Sequence, residues 1–111
     1  MSWDEIEQFY RETVKIPQSS KILEMIAQMR ERGHDRTFRA GQSMYAFVVS
    51  RSRRHGLSTD QPRIVFYVHE NGMDVAYYDN TGSEKKTSYA KIEYTSQIGI
   101  LLKQFEVRDI F

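Results

Sequence analysis

The chain has 111 residues, of which 40% are hydrophobic and 28% are charged, and its net charge is +1. A chain of this length has room for one hydrophobic core, which excludes a multi-domain enzyme. We therefore expect a single domain over residues 1–111. The composition excludes a collagen-like or low-complexity protein. Because the sequence contains no cysteine, it also excludes a disulfide framework and a thiolate zinc site.

The beginning of the sequence indicates the compartment. Three of the first seven residues are acidic, which is unlike the basic start and apolar run of a signal peptide. The longest apolar runs are far shorter than the roughly 18 residues that a membrane span needs. We therefore expect a soluble cytoplasmic protein without membrane contacts.

The front of the chain predicts two helices. Ser2 and Glu5 have the spacing of a capping box, which predicts a first helix over about residues 3–14. Gly33 is placed to end a second helix in the left-handed conformation. The apolar stripe of this second helix follows the i, i+3, i+4, i+7 pattern: Ile22, Met25, Ile26 and Met29. We interpret its two methionines as core, the alternative being an adaptable groove for a peptide.

The middle of the chain alternates between apolar and polar residues with a period of two, which predicts four or five antiparallel strands. The pair Asn71-Gly72 is a strong hairpin signal, because both residues accept positive φ. With these two residues as the loop, Glu70 pairs with Met73, and His69 lies opposite Asp74. The predicted strands are Met44–Arg51, Arg63–Glu70, Met73–Asp79 and about Lys85–Tyr94, with a fifth around Thr37–Arg39.

The end of the chain predicts a third helix, with Thr95 or Ser96 as its cap. Gly99 inside this helix costs about 1 kcal/mol of helix propensity relative to alanine. The order is therefore ααββββα, an α+β fold with an antiparallel meander sheet and helices on one face. The apolar stripe of the third helix consists of Ile98, Leu101, Leu102 and Phe105.

No catalytic, cofactor-binding or metal-binding motif occurs in the sequence. The predicted pair of His69 and Asp74 resembles a carboxylate that orients an imidazole for general base catalysis. No nucleophile accompanies the pair, and we prefer the interpretation as a cross-strand polar pair beside a turn. We therefore expect a protein that is not an enzyme and that uses no cofactor or metal.

One face of the predicted sheet, which we call the second face, carries Val65, Tyr67, Ala76 and Tyr78. A sheet that packs on one side only would have polar residues there. Either one of the helices covers this face, or a protein partner or second copy does, because large exposed apolar patches are unusual on a monomer. The strand Met44–Arg51 is apolar on both sides as well. The candidate interface residues are Phe47, Val65, Tyr67 and Tyr78.

The basic residues are unevenly distributed. Between Arg30 and Arg63 there are eight arginines and three acidic residues, a charge of +5, and the remainder of the chain carries −4. Arginine suits phosphate and carboxylate groups, so this segment is a candidate for binding nucleic acid or another polyanion. A solvated arginine-rich face is the alternative interpretation. The candidate anion-binding residues are Arg51, Arg53 and Arg54, where the chain enters a long loop.

The sequence thus favours a non-catalytic binding module that forms a homodimer or a subunit of a complex through the second face. Binding of nucleic acid or another polyanion through residues 30–63 is the alternative hypothesis.

Overall fold

A computed structural model describes residues 2–14, 16–50, 62–78 and 84–107, with the side chains of the last helix given as far as Phe105. The helices are α1 (Trp3–Gln8), α2 (Ser19–Glu31), α3 (His34–Thr37) and α4 (Ser96–Val107), and a π-helical turn (Phe9–Thr13) follows α1. The strands are β1 (Arg39–Ser43), β2 (Ala46–Ser50), β3 (Arg63–His69), β4 (Gly72–Tyr78) and β5 (Glu84–Tyr89). The predicted α+β order is confirmed, and the sheet has five strands, the larger of the two predicted numbers.

The five strands form one antiparallel sheet in the order β1-β2-β3-β4-β5, so each strand pairs with its neighbour in sequence. This is the predicted meander. Helices α1, α2 and α4 place their buried residues against one face of it, which confirms the predicted layering. Within the described ranges, no helix has both the length and the apolar character needed to cross a bilayer.

The predicted helix caps are present. The Ser2 hydroxyl accepts a hydrogen bond from the Glu5 amide, and the Glu5 carboxylate accepts one from the Ser2 amide, which completes the capping box. Gly33 follows the end of α2 with a φ of +84°. Thr95 caps α4, since its hydroxyl accepts a hydrogen bond from the Ile98 amide at 3.3 Å. The first helix is shorter than predicted, because its regular part ends at Gln8 and the π-helical turn continues it.

The predicted register of the β3–β4 hairpin is wrong by two residues. His69 pairs with Gly72, so the loop is Glu70-Asn71 and not Asn71-Gly72. Gly72 begins β4 with a φ of +136°, and a Cβ atom there would collide with the backbone carbonyl of Tyr89. Glycine is therefore required by the close approach of β5 as well as by its conformation. Because the shift is an even number, every side chain stays on its predicted face.

The predicted strand boundaries at β1 and β2 also need correction. The strand around Thr37–Arg39 begins only at Arg39 and runs to Ser43. Met44 and Tyr45, predicted as the start of the next strand, form the turn between β1 and β2 with φ values of +53° and +126°. Neither residue type signals a turn, which explains the error.

The main core lies between the helices and one face of the sheet. Met25 and Met29 are fully buried in it, in agreement with their interpretation as core residues. The Trp3 indole donates a hydrogen bond to the Phe38 carbonyl at 3.0 Å and so satisfies the polar atom of the largest core side chain. The sheet contributes Phe47, Val49, Ile64, Phe66, Met73 and Val75 to this core.

Candidate functional site

The centre of the second face is a small apolar cluster that is separate from the main core. Ala46, Val48 and Val65 are buried in it, and the ring of Tyr78 packs against them. No helix residue belongs to this cluster within the part of the chain that the structure describes. The described helices therefore do not cover the second face.

Two tyrosines lie over this cluster. Tyr67 on β3 and Tyr78 on β4 lie on opposite sides of the Val65–Ala76 pair, and their hydroxyl oxygens are 2.9 Å apart. The Arg63 guanidinium lies over the Tyr78 ring at 4.3 Å, and the Lys86 ammonium is 5.7 Å from the centre of the Tyr67 ring. The hydrogen bond between the two hydroxyl groups, with partial burial, raises the pKa of Tyr78 to about 12. The two rings thus form a fixed aromatic surface between two cations.

Polar residues continue the second face toward the β3–β4 turn. The Ser88 hydroxyl donates a 2.7 Å hydrogen bond to the Asp74 carboxylate, and His69 Nε2 lies 3.5 Å from the same oxygen. These contacts lower the pKa of Asp74, with the Ser88 hydrogen bond as the largest cause and His69 contributing less. The carboxylate is therefore held in its charged form on the surface of the sheet.

The contact between His69 and Asp74 is the pair singled out in the sequence, reached diagonally rather than directly across the strands. His69 Nδ1 accepts a hydrogen bond from the Asn71 amide at 3.3 Å, which leaves the proton of a neutral ring on Nε2, toward Asp74. Both ring nitrogens are engaged within the protein. This arrangement favours the interpretation as a structural polar pair over a general base.

Three of the four candidate interface residues share one face. Val65, Tyr67 and Tyr78 all lie on the second face, although Val65 is buried and Tyr67 is the most exposed, at 38%. Phe47 does not belong with them. It points into the main core, where its ring lies 5.8 Å from that of Trp3 and 5.5 Å from that of Phe66. We therefore remove Phe47 from the candidate interface.

The arginines of the segment 30–63 lie in different parts of the chain and do not form one group in the described structure. Arg51, Arg53 and Arg54, the candidate anion-binding residues, lie outside the described residues. Arg30 is engaged by acidic side chains, which raise the pKa of its guanidinium further above the ordinary value, chiefly through hydrogen bonds to Asp4 and Glu7. Its nitrogens lie 2.8 Å from Asp4, 3.0 Å from Glu7 and 3.4 Å from Asp35. This arginine ties α1 to α2 and α3 and is not placed to bind a polyanion.

One row of the second face carries two more arginines of this segment. Arg39 on β1 and Arg63 on β3 both pair with Ser50 on β2, so all three residues lie side by side. The Ser50 hydroxyl is buried and has no hydrogen-bond partner in the described structure. An unsatisfied buried hydroxyl is uncommon in folded proteins.

The β1–β2 turn is a feature that the sequence did not reveal. Met44 and Tyr45 are 88% and 64% exposed, and both have a positive φ, which is rare for large side chains. The hydroxyl of Tyr10, in the π-helical turn, donates a 2.7 Å hydrogen bond to the Tyr45 carbonyl and so ties the β1–β2 turn to the helical part of the chain. The sequence carries no signal for this turn, because methionine and tyrosine are not turn-forming residues.

The comparisons with known proteins assign no relative. No family model, no curated protein and no solved structure matches the chain. Within the described residues, no three acidic or histidine side chains come together as a metal site.

Proposed function

We propose that the chain is a non-catalytic binding module that associates with a second copy of itself through the second face. The observation that carries this proposal is the hydrogen-bonded pair of Tyr67 and Tyr78, set between Arg63 and Lys86. Tyrosine and arginine are enriched at interfaces and among the residues that dominate binding energy. The hydroxyl pair holds both rings in place before binding, so little side-chain entropy remains to be lost.

The charges around the tyrosines support a second copy as the partner. Arg63 and Lys86 lie on the same face as Asp74 and Glu84, and Arg39 lies at its β1 edge, so both signs are represented. In a two-fold symmetric interface each patch meets the same patch of the other copy, and it must therefore attract itself. A mixed patch satisfies this requirement. A strongly charged partner would instead select a patch of one sign.

Burial on the second face supports a reversible association. Ala46, Val48 and Val65 are already buried within the single chain, so the chain does not need a partner to remove them from water. Contact would mainly bury the tyrosines and the surrounding polar side chains. Such a surface is typical of complexes whose subunits fold separately.

The test is the substitution Tyr67→Glu, compared with wild type by sedimentation velocity over a range of protein concentrations. A carboxylate at this partly exposed position should leave the fold intact, but it removes the aromatic ring and adds a charge that must lose its water when the interface forms. We expect the dimer dissociation constant to rise at least about tenfold. Thr87→Glu is the matched control, because it adds the same charge to an exposed position on the opposite face of β5.

Two results would contradict the proposal. In the first, Tyr67→Glu associates as strongly as wild type, and the second face is not the interface. In the second, the variant loses its circular dichroism signature of folded structure, and Tyr67 belongs to the internal packing.

A second candidate function, nucleic-acid binding, is favoured by the row of Arg39, Ser50 and Arg63. Arg39 and Arg63 lie on either side of Ser50 in this row, and guanidinium groups suit phosphate oxygens. The chain continues from Ser50 directly into Arg51, Arg53 and Arg54.

Fluorescence anisotropy with labelled random-sequence DNA and RNA tests this second function. Binding through phosphate contacts must weaken steeply between about 50 and about 200 mM salt, because counterions are released. Charge reversal at Arg51, Arg53 and Arg54 should remove most of the affinity. Absence of binding at the lower salt concentration would eliminate nucleic acid as a ligand.

A further inference from the structure

An open cleft lies on the helix side of the molecule, where the end of α2 and the start of α3 approach the first half of α4. Its volume is about 800 Å³. This is within the range of about 300–1,000 Å³ that is usual for small-molecule sites. The cleft is on the opposite side of the sheet from the second face, so it is independent of the proposed function. The side chains that define it are Arg32, His34, Tyr94, Ile100 and Lys103.

The charge of the cleft has one sign. Arg32 and Lys103 supply two cations, and none of the described residues that line the cleft is acidic. The Arg32 guanidinium lies 5.0 Å from the centre of the Tyr94 ring, which holds it at the wall of the cleft. A concave surface lined by cations concentrates anions from solution.

The cleft also has an apolar wall. Ile100 is 59% exposed, which makes it one of the four most exposed large hydrophobic side chains of the described structure. It lies on α4 and lines the same cleft as Arg32, Lys103 and Tyr94. A ligand with an apolar body beside its charged group would cover this side chain, whereas a small inorganic anion would leave it in water.

The Tyr94 hydroxyl lies against α4 at Gly99, in space that a side chain at this position would otherwise fill. It lies 3.0 Å from His34 Nε2, within hydrogen-bond distance. A Cβ atom at Gly99 would be only 2.7 Å from the same hydroxyl oxygen, so any other residue there would displace the tyrosine. This contact explains a glycine in a helix, where its propensity is poor. Such local conflicts with propensity are expected at functional sites.

We propose that this cleft binds a small organic anion, with its charged group near Arg32 and Lys103 and its apolar body against Ile100 and the Tyr94 ring. The hydroxyl of Tyr94, positioned by His34 and Gly99, contributes a hydrogen bond to the charged group. Nucleic acid is not the expected ligand of this cleft, because the apolar wall has no role in phosphate-backbone contacts.

The experiment is a titration of the isotopically labelled protein followed by amide chemical shifts. Phenyl phosphate is the probe, inorganic phosphate carries the charge alone, and benzyl alcohol carries the apolar ring alone. We expect phenyl phosphate to shift the amides near Arg32, His34 and residues 95–103, and to bind at least about tenfold more tightly than either partial probe. Equal affinity for phenyl phosphate and benzyl alcohol would overturn the proposal. So would the absence of saturable shifts at about 10 mM phenyl phosphate.

Variants locate the site. Arg32→Gln and Lys103→Gln should each weaken phenyl phosphate binding about fivefold to tenfold, because each removes one cation. Lys21→Gln, an exposed position on α2 paired with Glu24, is the matched control and should leave the affinity unchanged. Gly99→Ala should give a folded protein with weaker binding, because the new methyl group displaces the Tyr94 hydroxyl. If the two cleft variants bind as the control does, the cleft is not the site.

Discussion

The two faces of the sheet are built from the same strands but differ in what holds them together. On the helix-covered face, Phe47 and Phe66 pair across β2 and β3 and are almost completely buried. On the second face, Val65 is buried, but its neighbour Tyr67 is 38% exposed and ends in a hydroxyl bonded to Tyr78. The helix-covered face is held together by apolar packing. The second face surrounds its small apolar centre with hydrogen bonds and with cations over aromatic rings.

This difference separates stability from recognition. Apolar burial against helices supplies the free energy that folds the chain, and it leaves nothing for a partner to contact. The second face buries only its centre and presents Tyr67, Tyr78 and charged side chains of both signs to solvent. A surface of this kind adds little to folding and is suited to association.

Adjacent residues of β3 provide the largest test of this comparison. Phe66→Ala should lower the free energy of unfolding by about 3–5 kcal/mol, because it opens a cavity in the main core. Tyr67→Ala, one residue along on the second face, should cost less than about 1 kcal/mol. Urea unfolding of both variants measures the two effects. Similar costs at the two positions would mean that the second face is as closely packed as the first.

The two turns at one end of the sheet give a test of intermediate size. The double variant Met44→Asn with Tyr45→Gly should raise the free energy of unfolding by about 1 kcal/mol, because these residues accept the positive φ values of the β1–β2 turn. Glu70→Asn is the control, since its turn has its positive φ at Gly72 instead. A loss of stability in the double variant would show that Met44 or Tyr45 packs against the chain.

The smallest effect concerns Asp74 on the second face. Ser88→Ala removes the hydrogen bond that is the largest cause of its lowered pKa, so the pKa should rise toward the ordinary value. Because the folded-state pKa is lowered, the associated stability is present above about pH 4 and is lost as the pH falls through the folded-state pKa. Carboxyl chemical shifts measure this change. Thr87→Ala, on the other face, should leave the pKa of Asp74 unchanged, and an equal rise there would contradict the assignment.

Local signals explain the parts of the fold that could be predicted. Each predicted helix end depends on groups within a few residues of it, so the spacing in the sequence is informative. These ends are marked by the pair Ser2 and Glu5, by Gly33 and by Thr95. The hairpin register could not be predicted, because Gly72 is required by the distant Tyr89 carbonyl and not by the turn alone. A contact of that kind leaves no local pattern.

The candidate sites depended on long-range contacts to a greater extent. Alternation along β3 and β4 placed Val65, Tyr67 and Tyr78 on one face. This assignment is correct although the predicted register is wrong by two residues, because an even shift does not change the face. Alternation could not place Phe47, because the pairing of β2 with β3 follows a long connection whose register the sequence does not indicate. The cleft beside Tyr94 was also beyond prediction, since His34 and Tyr94 are sixty residues apart in sequence.

The most direct test of the second face as a self-association surface is a dilution series of the labelled wild-type protein, followed by amide chemical shifts. Dissociation of a dimer changes the environment of the interface and little else. We expect the concentration-dependent shifts to fall on β3, β4 and β5, centred on Tyr67, Tyr78 and Ser88. Shifts centred on the helices, or a spectrum that does not change with concentration while the mass remains that of a monomer, would contradict this assignment.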